Sequence, residues 1–176
     1  MIIAVDPSYR KIGMFIEGKG FYLIRNNLKT SDEDLWLYKL SHILRGHVID
    51  KDKFLVLEYT NVPYIKPMAQ INRVIGVIIS SLGPLSGYWE ISMNDVYRHF
   101  KIKPRSKNKK KLLREKISKY FPEFFVLEFN IIYSEIGKTM IRVDGKKLPI
   151  DAVEQDCIDA YALFLYAQKF KVKKGG

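Results

Sequence analysis

The first apolar segments of the chain have the length and composition of β-strands. Residues 1–5 form an apolar, β-branched run that ends at the Asp-Pro-Ser turn signal of residues 6–8. Residues 12–16 and 21–24 form two further runs, and the Glu-Gly-Lys-Gly segment between them is typical of a hairpin turn. The pattern predicts three antiparallel strands, of which the first carries a carboxylate, Asp6, at its tip.

Helices and strands alternate in the middle of the chain. Apolar residues recur at helical spacing after the N-cap signal of residues 30–33, and again over residues 68–82. Between these helices, residues 53–59 (KFLVLEY) form a nearly continuous apolar run, as expected for a central strand that pairs in parallel with the first strand through a right-handed crossover. Residues 87–91 predict another strand, and residues 92–100 predict a short capped helix.

The last third of the chain combines helices with a β-rich segment. A basic loop at residues 102–108 precedes a basic helix. Residues 124–148 carry turn signals at 134–138 and 144–145, which predict one or two hairpins. Residues 151–170 have apolar positions at helical spacing and predict the final helix.

Together these elements predict an α/β fold in one domain that spans residues 1–176. Its mixed central sheet would have three antiparallel strands followed by parallel strands, with helices on both faces and a β-hairpin insert before the last helix. The 176 residues are 47% hydrophobic, which is enough to form a packed core and excludes disorder as the main state.

Positive charge is concentrated in one segment. The formal net charge is +11, and residues 98–116 hold ten lysines and arginines against the single acid Glu115, a net +9. Charge runs are often solvated surfaces, but apolar residues flank and interrupt this one, so we expect a structured surface to present it. A basic cluster of this kind indicates a polyanionic partner.

The rare residue types and the apolar runs exclude several classes of protein. Cys157 is the single cysteine, so no intrachain disulfide can form, and the three histidines give no zinc spacing. The longest uncharged run, residues 74–89, contains Gly83-Pro84 and is shorter than the roughly 20 apolar residues of a membrane-spanning helix. The N-terminus has no basic leader. We therefore expect a cytoplasmic protein with no signal peptide, transmembrane segment or membrane partner.

Four acidic residues are placed so that they could converge. Asp6 and Glu58 each end a predicted buried strand, and adjacent parallel strands would bring both to one edge of the sheet. Asp156 and Asp159 are spaced i,i+3 on the last helix and share one face. Carboxylates share a small space only when cations neutralise them, which predicts hard divalent ions such as Mg²⁺ or Mn²⁺. Since two-metal sites catalyse displacement at phosphorus, these acids and the basic segment predict a phosphodiesterase that acts on nucleic acid.

Simpler readings exist for the same acids. A strand-end aspartate before proline can be a turn former, and an i,i+3 pair of aspartates can be a solvated helix face. Asp151 and Glu154 have the same spacing as the helix pair, and we assign them to capping of the first turn, where acids favour the helix dipole. Glu154 remains an alternative metal ligand.

Three segments resemble motifs of the RuvC-type Holliday junction resolvases. The stretch IIAVDPSYRKIG resembles their opening DPGxxxxG motif, LVLEY resembles their second-acid strand, and EQDCIDAYALFLYA resembles their terminal DxxDALA-like helix. The motifs keep the family's order and cover most of the chain. The resemblance implies an RNase H-like fold and a homodimer with two active sites. It also implies symmetrical nicking of four-way DNA junctions in recombination, repair or branched-DNA processing.

The resemblance further implies a role for each acid and for one base. The metal ligands would be Asp6, Glu58, Asp156 and Asp159, with Asp6 shared between two Mg²⁺ ions that Mn²⁺ can replace and with no small-molecule cofactor. The family places a basic residue near these acids, and Lys109 is the best match, with Lys107 and Lys110 as competitors. That residue would contact the scissile phosphate or stabilise developing charge.

The chain departs from the family pattern at two points. Ser8 stands where the family commonly has glycine, which could tighten or re-aim the first turn. The spacing between Glu58 and Asp156 is longer than usual, and the predicted insert at 124–148 accounts for it. The insert leaves junction contacts and sequence preference open.

Seven residues are candidate DNA contacts. Tyrosines in the loop after Glu58 could stack on unpaired bases of an open junction, although one could equally complete the strand and the other pack at the next helix. The lysines and arginine would contact phosphates. The candidates are Arg105, Lys107, Lys109, Lys110, Lys111, Tyr59 and Tyr64.

Two other functions fit the same residues. One is another RNase H-like nuclease, acting on RNA in hybrids or on flaps. The second is a catalytically silent junction-binding module in which the acids serve only structure.

Overall fold

The computed structural model describes residues 1–26, 28, 32–47, 52–59, 65–119, 127–135, 138–148 and 154–174. Its elements, in chain order, are β1 Ile2–Asp6, β2 Lys11–Ile16, β3 Gly20–Asn26, α1 Glu33–His47, β4 Lys53–Glu58, α2 Ile65–Ser81, β5 Leu85–Ile91, α3 Met93–His99, α4 Lys109–Ser118, β6 Leu127–Glu135, β7 Lys138–Leu148 and α5 Gln155–Lys174.

One mixed sheet joins all seven strands in the order β5-β4-β1-β2-β3-β6-β7. The β1, β2 and β3 strands are antiparallel neighbours, and β4 and β5 extend the sheet in parallel from β1. On the other side, β6 pairs in parallel with β3, and β7 pairs antiparallel with β6. The α/β fold class, with a hairpin before the last helix, is therefore confirmed.

The alternation of side chains along β1 divides the core between the two faces of the sheet. Ile2 and Ala4 lie in a cluster with buried residues of α3, α4 and α5. Ile3 and Val5 lie in a second cluster with buried residues of α1 and α2. Because successive side chains of a strand point to opposite faces, the next even position, Asp6, falls on the face that α5 covers.

The β-rich segment forms one hairpin, so the turn expected at residues 144–145 is wrong. Both residues lie inside β7, where Phe129 pairs with Gly145 and the register shifts on either side of that pair. Glycine in a strand often marks such a bulge, because it has no side chain to pack. The hairpin turn falls in the expected 134–138 segment, of which 136–137 lie outside the described residues.

The last helix begins at Gln155 rather than at residue 151. Glu154 immediately precedes it, and its carbonyl accepts hydrogen bonds from the backbone N–H groups of Cys157 and Ile158. Asp151 lies outside the described residues. No helix in the described ranges is both long enough and apolar enough to span a bilayer.

Candidate active site

Asp6 and Glu58 meet at the ends of two neighbouring parallel strands. The register pairs Ala4 with Val56 and Val5 with Leu57, which brings the next two positions, Asp6 and Glu58, side by side. Both side chains are half-buried, and a hydrogen bond links their carboxyl groups.

The helix α5 supplies the second pair of acids. It packs across β1 and β2, and its first turn carries Asp156. Asp159 follows one turn later, with only 4% of its surface exposed. Cys157, between the two, is buried, and its thiol lies 3.4 Å from the carbonyl oxygen of Tyr22. Burial raises the pKa of this thiol.

All four acids line one cavity of about 620 Å³ at the carboxyl end of β1 and β4. Its other walls come from the turn after β1, from α2, from α3 and from the start of α4. The remaining lining residues are Pro7, Ser8, Tyr59, Ile71, Ser92, Met93, Asn94, Tyr97, Lys109 and Lys110.

Burial and mutual repulsion raise the pKa values of these acids. Burial raises the pKa of Asp6 well above its ordinary value, and the charge of Glu58 and the hydrogen bond to it raise it further. Burial also raises the pKa of Glu58, whereas its hydrogen bond with Asp6 lowers it. Burial raises the pKa of Asp159 to about 6, in opposition to Gln155 and Lys110.

Each of the four carboxylates has a polar or cationic partner. Beyond the shared Asp6–Glu58 hydrogen bond, Asp156 lies 3.7 Å from the ammonium of Lys11. Asp159 lies 3.8 Å from the ammonium of Lys110 and accepts a 2.8 Å hydrogen bond from the Gln155 amide. The site therefore places two lysine ammonium groups beside the carboxylates of α5.

The carboxylate oxygens of the four acids are the kind of ligand that a hard divalent cation binds. All four candidate ligands are carboxylates on the wall of an open cavity, and Mg²⁺ and Mn²⁺ prefer such oxygen ligands. Within the described ranges, however, no three acidic, histidine or cysteine side chains surround one point closely enough to hold an ion in their present rotamers. A bound ion would replace the lysine partners of Asp156 and Asp159.

Glu154 is engaged elsewhere, which weighs against it as a substitute ligand. Its carboxylate accepts a 2.6 Å hydrogen bond from Arg25 and a 3.4 Å bond from Lys11, and it does not line the cavity. Lys11 thus bridges Glu154 and the candidate ligand Asp156.

The candidate basic residues separate into three groups. Lys109 and Lys110 line the cavity, and the Lys109 ammonium also lies 5.2 Å from the centre of the Tyr97 ring. Lys107 and Lys111 are exposed and lie outside the lining. Arg105 lines a neighbouring pocket instead.

Of the two tyrosines predicted to stack on bases, only Tyr59 lies among the residues that the structure describes. Tyr59 lines the cavity with 54% of its surface exposed, so its ring is available to a ligand. Tyr64 lies outside the described residues.

The hydroxyl of Ser8 closes the turn that follows β1. It donates a hydrogen bond to the Lys11 carbonyl and accepts one from the Lys11 N–H at 3.0 Å. Such side-chain bonds stabilise turns, which gives serine a structural role at this glycine position of the motif.

Three residues around the acids were missed by the sequence reasoning. Tyr97 is buried in the cavity wall, Lys11 pairs with Asp156, and Gln155 bonds Asp159. Tyr97 and Gln155 sit in helical patterns that equally fit core or surface positions. Lys11 is a variable position of the opening motif, so no sequence signal distinguished it.

Comparison with known proteins gives a structural likeness. No protein-family model matches the chain, and no curated protein matches it in sequence. Its structure is similar to that of Thermus thermophilus RuvC in complex with a Holliday junction substrate, with a TM-score of 0.56 and 6% identity over 96% of this chain and 94% of that chain. A second Thermus thermophilus RuvC structure gives a TM-score of 0.54 and 10% identity over 97% and 96% of the two chains. The chain therefore has the RuvC-type, RNase H-like fold that its motifs implied.

Proposed function

We propose that the protein is a divalent-metal-dependent endonuclease that resolves four-way DNA junctions by paired symmetrical nicks, inside the cell, in recombination, repair or branched-DNA processing. The observation that carries this proposal is the convergence of four carboxylates and two lysines in one cavity at the end of two parallel strands. This arrangement joins ligands for cations with positive charge for a phosphate.

The four acids would hold two Mg²⁺ ions, with Mn²⁺ as a substitute. When bound, the ions would activate water and stabilise the leaving oxygen of an in-line displacement at phosphorus. The ligands would be Asp6, Glu58, Asp156 and Asp159.

The lysines of the cavity would position the scissile phosphate. Lys109 is held against the face of Tyr97, so its ammonium is directed by a buried ring rather than free in solvent. Lys110 pairs with Asp159 at 3.8 Å and would transfer this interaction to the phosphate when cations occupy the acids. Both residues would also stabilise the charge that develops on the phosphate oxygens.

We propose branched DNA as the substrate. The Thermus thermophilus RuvC structure with this fold is a complex with a Holliday junction substrate. The exposed ring of Tyr59 at the cavity rim would stack on a base that is unpaired at an open junction.

A homodimer would supply two such sites for two symmetrical nicks. The α2 helix has apolar side chains that pack against the core and remain partly exposed, among them Ile75, Val77 and Ile79. We assign part of this helix to the dimer interface. A monomeric mass in solution at micromolar concentration would contradict that assignment.

A cleavage panel tests the proposed reaction and substrate together. The wild-type protein is incubated with Mg²⁺ and a four-way junction, an RNA/DNA hybrid, a flap and a linear duplex of matched sequence. We expect symmetrical nicks in the junction only, with 5′-phosphate and 3′-hydroxyl ends. Preferred cleavage of the hybrid or flap would indicate a different nuclease, and junction binding without cleavage of any substrate would indicate a silent binding module.

A further inference from the structure

A second, basic pocket borders the candidate active site. It has a volume of about 540 Å³ and is lined by Asn94, Arg98, Lys103, Pro104 and Arg105. Asn94 also lines the cavity of the four acids, so the two spaces adjoin across this residue. A nucleic-acid strand that extends from the cavity of the four acids past Asn94 would therefore enter the basic pocket.

The charge of this basic pocket is largely uncompensated. The Arg98 guanidinium donates a 2.7 Å hydrogen bond to Asp95, which neutralises one of the three cations. Lys103 and Arg105 are exposed, and neither forms an ion pair or hydrogen bond through its side chain with any part of the chain that the structure describes. Two ammonium or guanidinium groups are therefore available to an anion.

The loop that carries these cations is held in place by its backbone. Ile102 is buried, and its N–H donates to the Tyr97 carbonyl at 2.8 Å. Lys101, with a φ of 58°, donates to the Arg98 carbonyl at 3.0 Å, and Ser106 donates to the Lys103 carbonyl at 3.0 Å. A loop ordered in advance binds a ligand without the entropic cost of ordering it.

We propose that the basic pocket binds a backbone phosphate of the nucleic-acid strand whose scissile phosphate occupies the catalytic cavity. This inference rests on the proposed function and adds a second anchoring point to it. Lys103 and Arg105 hold the neighbouring phosphate, Arg98 adds charge from α3, and Asn94 lies between the two subsites. Contacts of this kind fix the register of the strand, because they set which phosphate lies over the acids.

A matched pair of double variants tests the pocket. Lys103→Gln/Arg105→Gln removes its free cations, and Arg45→Gln/Lys119→Gln removes the same charge at exposed positions on α1 and beyond the far end of α4 that line neither cavity. Affinity for a four-way junction is measured in EDTA, where no cleavage occurs, over a range of salt concentrations. We expect about tenfold weaker binding by the pocket variant and a salt slope smaller by about 1, with the control within about twofold of wild type.

A substrate series then locates the phosphate. Single neutral methylphosphonates replace the phosphates on either side of the cleavage site, one at a time. One position should weaken wild-type and control binding by about tenfold and leave the pocket variant nearly unchanged, since the pocket variant has already lost that contact. Equal sensitivity of the pocket and control variants at every position would overturn the assignment.

The two proposals fail in different ways. If the wild-type protein cleaves the junction and the two double variants bind it with identical affinity, the phosphate-binding role of the pocket is overturned. The proposed function then remains intact. Wild-type binding without cleavage overturns the proposed function, while the affinities in EDTA still decide the pocket. Absence of any nucleic-acid binding by the wild-type protein overturns both.

Discussion

The backbone of Asp156 lies where any residue larger than glycine at position 13 would place its Cβ. A Cβ built on Gly13 would overlap the carbonyl group of Asp156 and lie 2.7 Å from the backbone nitrogen of Cys157. The contact is between backbone atoms, which cannot move aside as a flexible side chain can. Gly13 therefore sets how closely the start of α5, and with it one candidate metal ligand, approaches the sheet.

Gly13→Ala is expected to displace the start of α5 and lower cleavage at least tenfold, because misplacement of ligands by even about 1 Å is costly for catalysis. Unfolding in urea should also show a loss of about 1–3 kcal/mol from overpacking. Gly76→Ala is the control for stability: its Cβ would meet nothing within 4 Å, so helix propensity should stabilise the protein by about 1 kcal/mol. Full activity and stability of Gly13→Ala would contradict the close approach.

The raised pKa of Asp159 predicts that stability depends on pH in the absence of metal. Its pKa is about 6 in the folded protein and near 4 in the unfolded chain, so the folded state favours the protonated form. The stability that this group contributes is present below about pH 4 and is lost as the pH rises to about 6. In EDTA, Asp159→Asn should therefore gain about 2–3 kcal/mol on wild type between pH 4 and 6.5, as measured by urea unfolding.

Mg²⁺ is expected to reduce the stability advantage of Asp159→Asn over the wild type. Added at pH 7, it should raise the melting temperature of the wild type and have a smaller effect on Asp159→Asn, because the variant lacks one carboxylate ligand. If the free energies of unfolding of wild type and Asp159→Asn in EDTA differ by the same amount at every pH, the raised pKa of Asp159 is contradicted.

Some lysines of the basic segment should affect the cleavage rate, and others should affect only the binding of DNA. Lys109→Ala/Lys110→Ala removes the cavity pair and should lower the cleavage rate at saturating junction by about a hundredfold. Lys107→Ala/Lys111→Ala removes exposed lysines outside the lining and should weaken binding and flatten its salt dependence with little change in that rate. Single-turnover cleavage and binding titrations separate the two effects. Equal loss of the cleavage rate in both double variants would contradict a catalytic role specific to Lys109 and Lys110.

Tyr97 is predicted to position Lys109 through its ring. Tyr97→Phe keeps the face on which the ammonium lies and should retain cleavage within about threefold, whereas Tyr97→Leu should lower it about tenfold. Both rates are compared at temperatures well below each variant's melting temperature, because the side chain is buried. The positioning role is contradicted if leucine and phenylalanine give the same rate.

The sequence predicted the parts of the fold and site that depend on local pattern and strand direction. Asp6 and Glu58 could be brought together because parallel neighbours end at the same edge, and the structure has that pairing. The bulge at Gly145 was not predictable, since Asp-Gly is also a common turn signal and only the partner strand distinguishes the two. The pairing of Lys11 with Asp156 depends on residues 145 positions apart and on the packing of α5, which no local pattern encodes.

The central claim is that Asp6 belongs to the catalytic machinery and is not needed for junction recognition. The most direct test is Asp6→Asn, measured beside wild type for Mg²⁺-dependent nicking of one four-way junction and for binding of the same junction in EDTA. We predict that nicking falls below detection while the affinity stays within about threefold of wild type. Nicking by Asp6→Asn at the wild-type rate would contradict the account.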